Sequence, residues 1–160
     1  INQTSRSRYG RLTGVRQAMR QAGLEEQLHL FVDPDEAEDQ QGNYEMNAGH
    51  RLGLAALRQP EITAAVCVND ILAAGVIKAA WSLGRRIPDD LAIAGFDNLL
   101  TSSILTPPLT SVEHHSLQRA RQAIDMLVEK RSGKHLGPPL NVEYHPTLIV
   151  RASTRPTTNE

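Results

Sequence analysis

The sequence predicts an α/β fold, a parallel sheet flanked by helices, and three observations carry that prediction. Two apolar runs, Ala64–Val68 and Leu91–Phe96, are too short for helices and carry β-branched residues, so they read as buried strands. Between them Ile71, Ala74, Ile77 and Trp81 recur at helical spacing, and Gly84 stands where a helix C-terminus needs a residue free to take positive φ. Strand, helix and strand in that order make a right-handed crossover with parallel strands. Ligands of such sheets collect at the carboxyl ends of the strands. Asn69-Asp70 and Asp97-Asn98 follow the two strands, and two amide–carboxylate pairs on one rim suit a polyhydroxylated or amino-bearing ligand.

The remaining elements follow in chain order. Residues 1–6 are polar, with Thr4 or Ser5 able to cap the helix that follows. From Ser7 to Ala22, Leu12, Val15, Met19 and Ala22 recur at helical spacing, and Gly23 stops the run. Leu28–Val32 reads as a strand. Asp33–Gly42 is acidic and lacks apolar periodicity, so it reads as a solvated loop; the alternating ligand positions of a calcium loop are absent. Asn43–Arg58 predicts a helix capped by Asn43, with Met46, Leu52 and Leu57 inward and Pro60 beyond its end.

After the central unit, Leu99–Thr106 is irregular. Pro107-Pro108 stiffens the approach to Leu109–Val112, a short strand or an extended crossover. Leu117, Ala120, Ile124, Leu127 and Val128 mark a further helix closing at Gly133. Residues 134–139 read as a linker. Asn141–Val150 alternates loosely around Pro146, as an edge or bulged strand does. Residues 152–160 carry no pattern.

Composition narrows the function classes. The 160 residues suffice for one domain, or a lobe with a small appendage. Only 4% are aromatic, so the core must be aliphatic. Lys and Arg (17) nearly cancel Asp and Glu (18), which gives no electrostatic case for nucleic acid or an anionic membrane. The single Cys67 excludes an internal disulfide, suits a reducing compartment, and reads as a buried inert thiol among apolar neighbours. No run reaches membrane-spanning length, and no signal peptide is visible. The chain starts at Ile1, which suggests a fragment of something longer. No phosphate-cradling loop, dinucleotide fingerprint or nucleophile elbow occurs, so neither a cofactor nor an enzyme is predicted. His114 and His115 lack the further ligands a metal site needs.

Five segments carry a resemblance to a known family: Arg11-Leu-Thr-Gly14, Ala64–Gly75 with its Asn-Asp turn, Gly84–Asn98, Pro107-Pro-Leu-Thr-Ser-Val112, and Leu148–Thr154 with its Arg-x-Ser-Thr ending. Together they resemble the effector-binding core of bacterial transcription regulators of the lactose-repressor/galactose-repressor family. The resemblance spans nearly the whole chain but only the second half of a full-length regulator. It implies a periplasmic-binding-protein-like fold of two α/β lobes around a ligand cleft. By that resemblance residues 1–112 form the C-terminal lobe, without its first strand. Residues 113–137 cross over to the N-terminal lobe, 138–154 return, and 155–160 form a disordered tail.

The resemblance also assigns roles. Asp97 would accept hydrogen bonds from ligand hydroxyl or amine groups, against the plainer reading of a turn cap. Asn69 would be the matching amide at the next rim position, or else an Asx turn, with Asp70 favoured as the helix cap. Tyr44 would be an aromatic platform for the ligand, or a surface tyrosine covering the acidic loop. Arg11, with Arg6 as the competing choice, and His114 would complete the set. Ile71, Ala74, Lys78 and Leu105 would pack across a two-fold axis in a homodimer. The expected partners are thus a small-molecule effector, sugar or nucleoside-like, a second copy, and operator DNA reached only through a missing DNA-binding head. A cytoplasmic location follows. The alternative is a periplasmic sugar-binding protein of a transport system.

Overall fold

A computed structural model describes residues 6–32, 44–133, 137–138 and 140–154. Thr4, Ser5, the acidic stretch 33–42, Asn43 and the tail 155–160 lie outside the described residues. The elements are α1 (Arg6–Gln21), a 3-10 turn (Glu25–Gln27), α2 (Tyr44–Ala56), β1 (Ala64–Val66), α3 (Asp70–Ser82), β2 (Ala92–Phe96), α4 (Leu100–Ile104), β3 (Thr110–Glu113), α5 (Ser116–Arg131) and β4 (Thr147–Ile149). They form a mixed α/β structure around one four-stranded sheet of order β1-β2-β3-β4.

The first three strands are parallel, and β4 returns antiparallel to β3. In the register Ala64 pairs with Ala92 and Phe96 with Val112, so the carboxyl ends of β1, β2 and β3 lie on one edge. Leu109–Val112 resolves as a strand shifted by one residue. β4 begins directly after Pro146, whose missing N–H is harmless outside the ladder. No helix among the described residues is long and apolar enough to cross a membrane.

The core lies between α3 and the sheet: Ala73, Val76, Ile77 and Ala80 meet Leu91, Ile93 and Leu109, with Leu57 and Cys67 beside them. Fully burying a side chain such as Ile77 or Ile93 contributes roughly 1.5–3 kcal/mol. Of the repeat Ile71, Ala74, Ile77 and Trp81, only its middle reaches the core. Ile71 and Trp81 are exposed, Ile77 is fully buried and Ala74 half-buried, and Ala73, Gly75, Val76, Ala79 and Ala80 make up the rest of the buried apolar surface. The cause is the neighbour. α2 packs on α3 through Gly49, Gly53 and Gly75, and a Cβ on Gly75 would stand 2.1 Å from the Met46 carbonyl oxygen. Backbones that close leave no room for a large side chain. Ala48 and Gly53 are therefore buried, while Met46 and Leu52 are displaced to the flank.

Two further predicted elements change. Leu28–Val32 joins no strand among the described residues. Leu28–Phe31 and β1 line one cavity instead of meeting edge to edge, so no ladder forms between them. The stretch predicted as irregular contains the one-turn helix α4, fixed by Leu99 φ −63°, ψ 153° and by the Ser102 amide donating to the Leu99 carbonyl at 2.9 Å.

Candidate functional site

The site starts from the backbone beyond β2. The Asp97 amide donates to the Val112 carbonyl at 3.0 Å, the last link of the ladder. The chain then leaves the ordinary regions: Asp97 has φ +102° and Asn98 φ +48°. Asp and Asn tolerate positive φ better than other non-glycine residues. His115, beyond β3, has φ +57°. These are the only non-glycine residues with positive φ among the described residues, and all three lie on the carboxyl edge of the sheet. Strain of this kind concentrates where a structure must aim a side chain.

That turn presents the Asp97 carboxylate to two predicted partners. Asp97 Oδ1 accepts from Arg11 at 3.3 Å and lies 3.2 Å from His114 Nε2. Arg11 also donates to the Val68 carbonyl, tying α1 to the end of β1. Phe96 forms the base of the cluster. The Arg11 guanidinium stands 3.7 Å from its ring centroid, and the His114 ring stacks on it at 5.6 Å and 21°. Burial pushes the Asp97 carboxyl above its ordinary value, Arg11 and His114 pull it back, and Asp70 adds to the rise. A half-buried carboxylate flanked by a fixed cation and an imidazole is suited to bind hydroxyl or amine donors.

Of the two candidate arginines, Arg11 is in the site; Arg6 is exposed at the first residue of α1. Asn69 is at the rim, with its side chain engaged. Its Oδ1 accepts from the Leu72 amide and caps α3, and its Nδ2 donates to Glu45 Oε2 at 2.8 Å. The Asx reading of Asn69 therefore holds in this structure, and the expectation that Asp70 caps the helix is corrected. Glu45 also pairs with Arg8 at 3.0 Å. Tyr44 opens α2 beside Glu45, half-buried, and shares with Arg8 and Arg11 a cavity of about 680 Å³. The same cavity extends along β1 and is lined there by apolar residues such as Leu12, Val15, Leu30 and Val66.

The rim pairs divide by the partners they meet. Asn98 turns inward: its Oδ1 accepts from Arg151 at 2.7 Å and its Nδ2 donates to Glu113 at 3.0 Å. Glu113 in turn accepts from the His115 amide, and these hydrogen bonds hold its carboxyl below its ordinary value. Asp70 is buried as well. Sequence reasoning missed Phe96, Glu45 and Glu113 as members of the site. Phe96 was readable as the last residue of its strand, next to Asp97. Glu45 and Glu113 act through contacts that no local pattern announces.

Among the expected interface residues, Ile71 and Lys78 are exposed, while Ala74 and Leu105 are half-buried. Leu105 packs partly on the core. Near it, Leu100 and Ile104 are 84% and 73% exposed. Burial pushes the Cys67 thiol up to about 12, which keeps it protonated and unreactive. No group of three or more His, Cys, Asp or Glu side chains among the described residues is placed to hold a metal ion.

Fold and site together define a class: an α/β ligand-binding lobe with its polar cluster at the carboxyl edge of a mainly parallel sheet. A family profile described as periplasmic binding protein-like domain matches residues 2–154, and the chain belongs to that family, in its lactose-repressor/galactose-repressor branch. The HTH-type transcriptional repressor PurR of Haemophilus influenzae (strain PittEE) is 32% identical over 155 residues, covering 95% of this chain and 43% of the repressor. The transcription regulator GntR from Chromobacterium violaceum superposes with a TM-score of 0.79 at 28% identity, over 95% of this chain and 54% of that one. A LacI family transcriptional regulator from Arthrobacter sp. FB24, solved in complex with lactose, gives 0.63 at 32% identity over 69% and 42%. This chain spans about 43% of the length of the curated repressor. These relatives are transcription regulators, not transport proteins or enzymes, which goes against the transport alternative.

Proposed function

We propose that this chain is the effector-binding and dimerisation part of a bacterial transcription regulator, and that its effector is a sugar or nucleoside-like molecule. The observation that carries the reading is the Asp97 carboxylate at the end of β2, strained at φ +102° and flanked by Arg11 and His114. Tyr44, which lines that cavity, supplies a platform for an apolar ligand face. Asn69 contributes once Glu45 releases its amide. Residues 113–137 belong to the other lobe and 138–154 return from it. The exposed apolar face of α5, with Leu117, Ile124, Leu127 and Val128, supports that division.

The mechanism is allosteric. The effector holds two lobes in one geometry, and that geometry spaces DNA-binding heads carried elsewhere in the regulator. Ile71, Ala74, Lys78 and Leu105 form the two-fold contact, and the protein works in the cytoplasm without a cofactor. The lactose complex of the Arthrobacter regulator favours a sugar. The test is a thermal-shift screen of the chain and of Asp97→Ala against sugars and nucleosides at high concentration. A ligand at a hundred times its Kd adds about 2.7 kcal/mol. A ligand-specific rise that Asp97→Ala abolishes is expected; a rise equal in both proteins overturns the assignment of Asp97.

A further inference from the structure

Directly beneath the rim lies a buried carboxylate outside the Arg11, Asp97 and His114 cluster. Asp70, the first residue of α3, is 2% exposed and points into the protein. Its Oδ2 accepts from the Leu99 amide at 2.8 Å and from the Ser102 hydroxyl at 2.5 Å. Its Oδ1 accepts from the Ser111 hydroxyl at 2.6 Å. The Ser111 oxygen in turn accepts from the Asn98 amide at 3.0 Å. One buried side chain therefore joins α3, the turn after β2, α4 and β3. The fit is tight on every side. A Cβ on Gly95 would stand 2.2 Å from Asp70 Oδ1, so β2 carries glycine where it passes this carboxylate.

The turn that aims Asp97 is anchored on both sides of its strained residues by this network. Ahead of it, the Asp97 amide is bonded to Val112; behind it, the amides of Asn98 and Leu99 reach Asp70, the first through Ser111 and the second directly. Two consecutive positive-φ residues persist only where surrounding bonds over-determine them. We propose that Asp70 is a positioning residue for the ligand site: it fixes the backbone of the 97–99 turn, and so sets the direction of the Asp97 carboxylate. The proposal rests on the reading of Asp97 as the ligand contact. It adds that the same carboxylate, through Ser111, couples that aim to β3, from which His114 follows.

The test needs no ligand, so its failure is distinguishable from failure of the effector screen. Residue-specific amide hydrogen exchange is measured by NMR on the chain and on Asp70→Asn, Ser111→Ala and Ser102→Ala. Asparagine keeps the shape but replaces one acceptor oxygen by a donor. In Asp70→Asn, exchange at Asn98 and Leu99 is expected to speed up at least about tenfold, as for loss of a hydrogen bond to a charged group. The Ile93 amide, bonded to the Ser153 carbonyl in the core, is expected to hold its rate. In Ser111→Ala only Asn98 speeds up, and in Ser102→Ala neither does. The Cα and Cβ shifts of Asp97, which report φ, are expected to move in Asp70→Asn, to move less in Ser111→Ala, and to hold in Ser102→Ala. A uniform acceleration that includes Ile93 makes Asp70 a merely structural residue and overturns the proposal. Unchanged rates at Asn98 and Leu99 overturn it as well. Should Asp70→Asn fail to fold, the contrast between Ser111→Ala and Ser102→Ala decides: equal effects at Asn98 refute the network.

Discussion

Asp97 is held against its own preference in two ways. Its backbone sits at φ +102°, which costs a non-glycine residue on the order of 1–3 kcal/mol. Burial raises its carboxyl above the ordinary value of roughly 3.9. The folded state therefore binds more protons than the unfolded one between those two values. This contribution to stability is full below the ordinary value and is lost as pH rises through the raised one. Asp97→Asn removes the titration and keeps the shape. Its melting temperature relative to the parent is expected to rise with pH across that window and to be no lower at neutral pH, while ligand response falls. Melts from about pH 3 to 7 check this, and a variant less stable than its parent at pH 7 contradicts it. At this scale the sequence was half legible. A polar residue closing an apolar run marked Asp97. Nothing local separated it from Asn98 and Asp70, which turn inward because Arg151 and Ser111, 53 and 41 residues away in sequence, claim them.

The elements show why periodicity read some of the chain and not the rest. Strand β2 and helix α3 are long enough to display their period, and both fall where expected. Helix α4 is five residues, too short for a period to appear. The second buried surface of α3, the small residues facing α2, was not legible because apolar size is a poor guide where two backbones nearly touch. Gly75 makes that contact, and its replacement is a sharp test. Gly75→Ala places a methyl group within 2.1 Å of the Met46 carbonyl and 2.6 Å of the His50 amide, neither of which can swing away. The expected loss lies at or beyond the top of the roughly 1–3 kcal/mol range for overpacking. Chemical denaturation measures it. A loss under about 0.5 kcal/mol, the size of an ordinary surface change, would mean that α2 and α3 are not packed this closely.

At the scale of the whole molecule, charge is nearly balanced at −1 and the informative feature is where apolar surface is left uncovered. Near α4 and the first turn of α3, Ile71, Leu100 and Ile104 are exposed. A patch of this kind marks an interface more often than chance exposure does. Ile71→Glu puts a charge into it without touching the core. Sedimentation at increasing concentration is expected to give a dimer for the parent and a monomer for the variant. Dimers of equal strength in both would place the two-fold contact elsewhere.

The positive φ at residue 97 also governs how this site can diversify. A β-branched or bulky side chain at that position meets a steric penalty before any ligand is considered, so variation there is steered away from such residues and towards Asp, Asn or Gly. Arg11, Tyr44 and His114 stand on backbone without that restriction. Natural drift, or a library built to change recognition, has its freedom at those three positions, while residue 97 remains the fixed point from which each new specificity is measured.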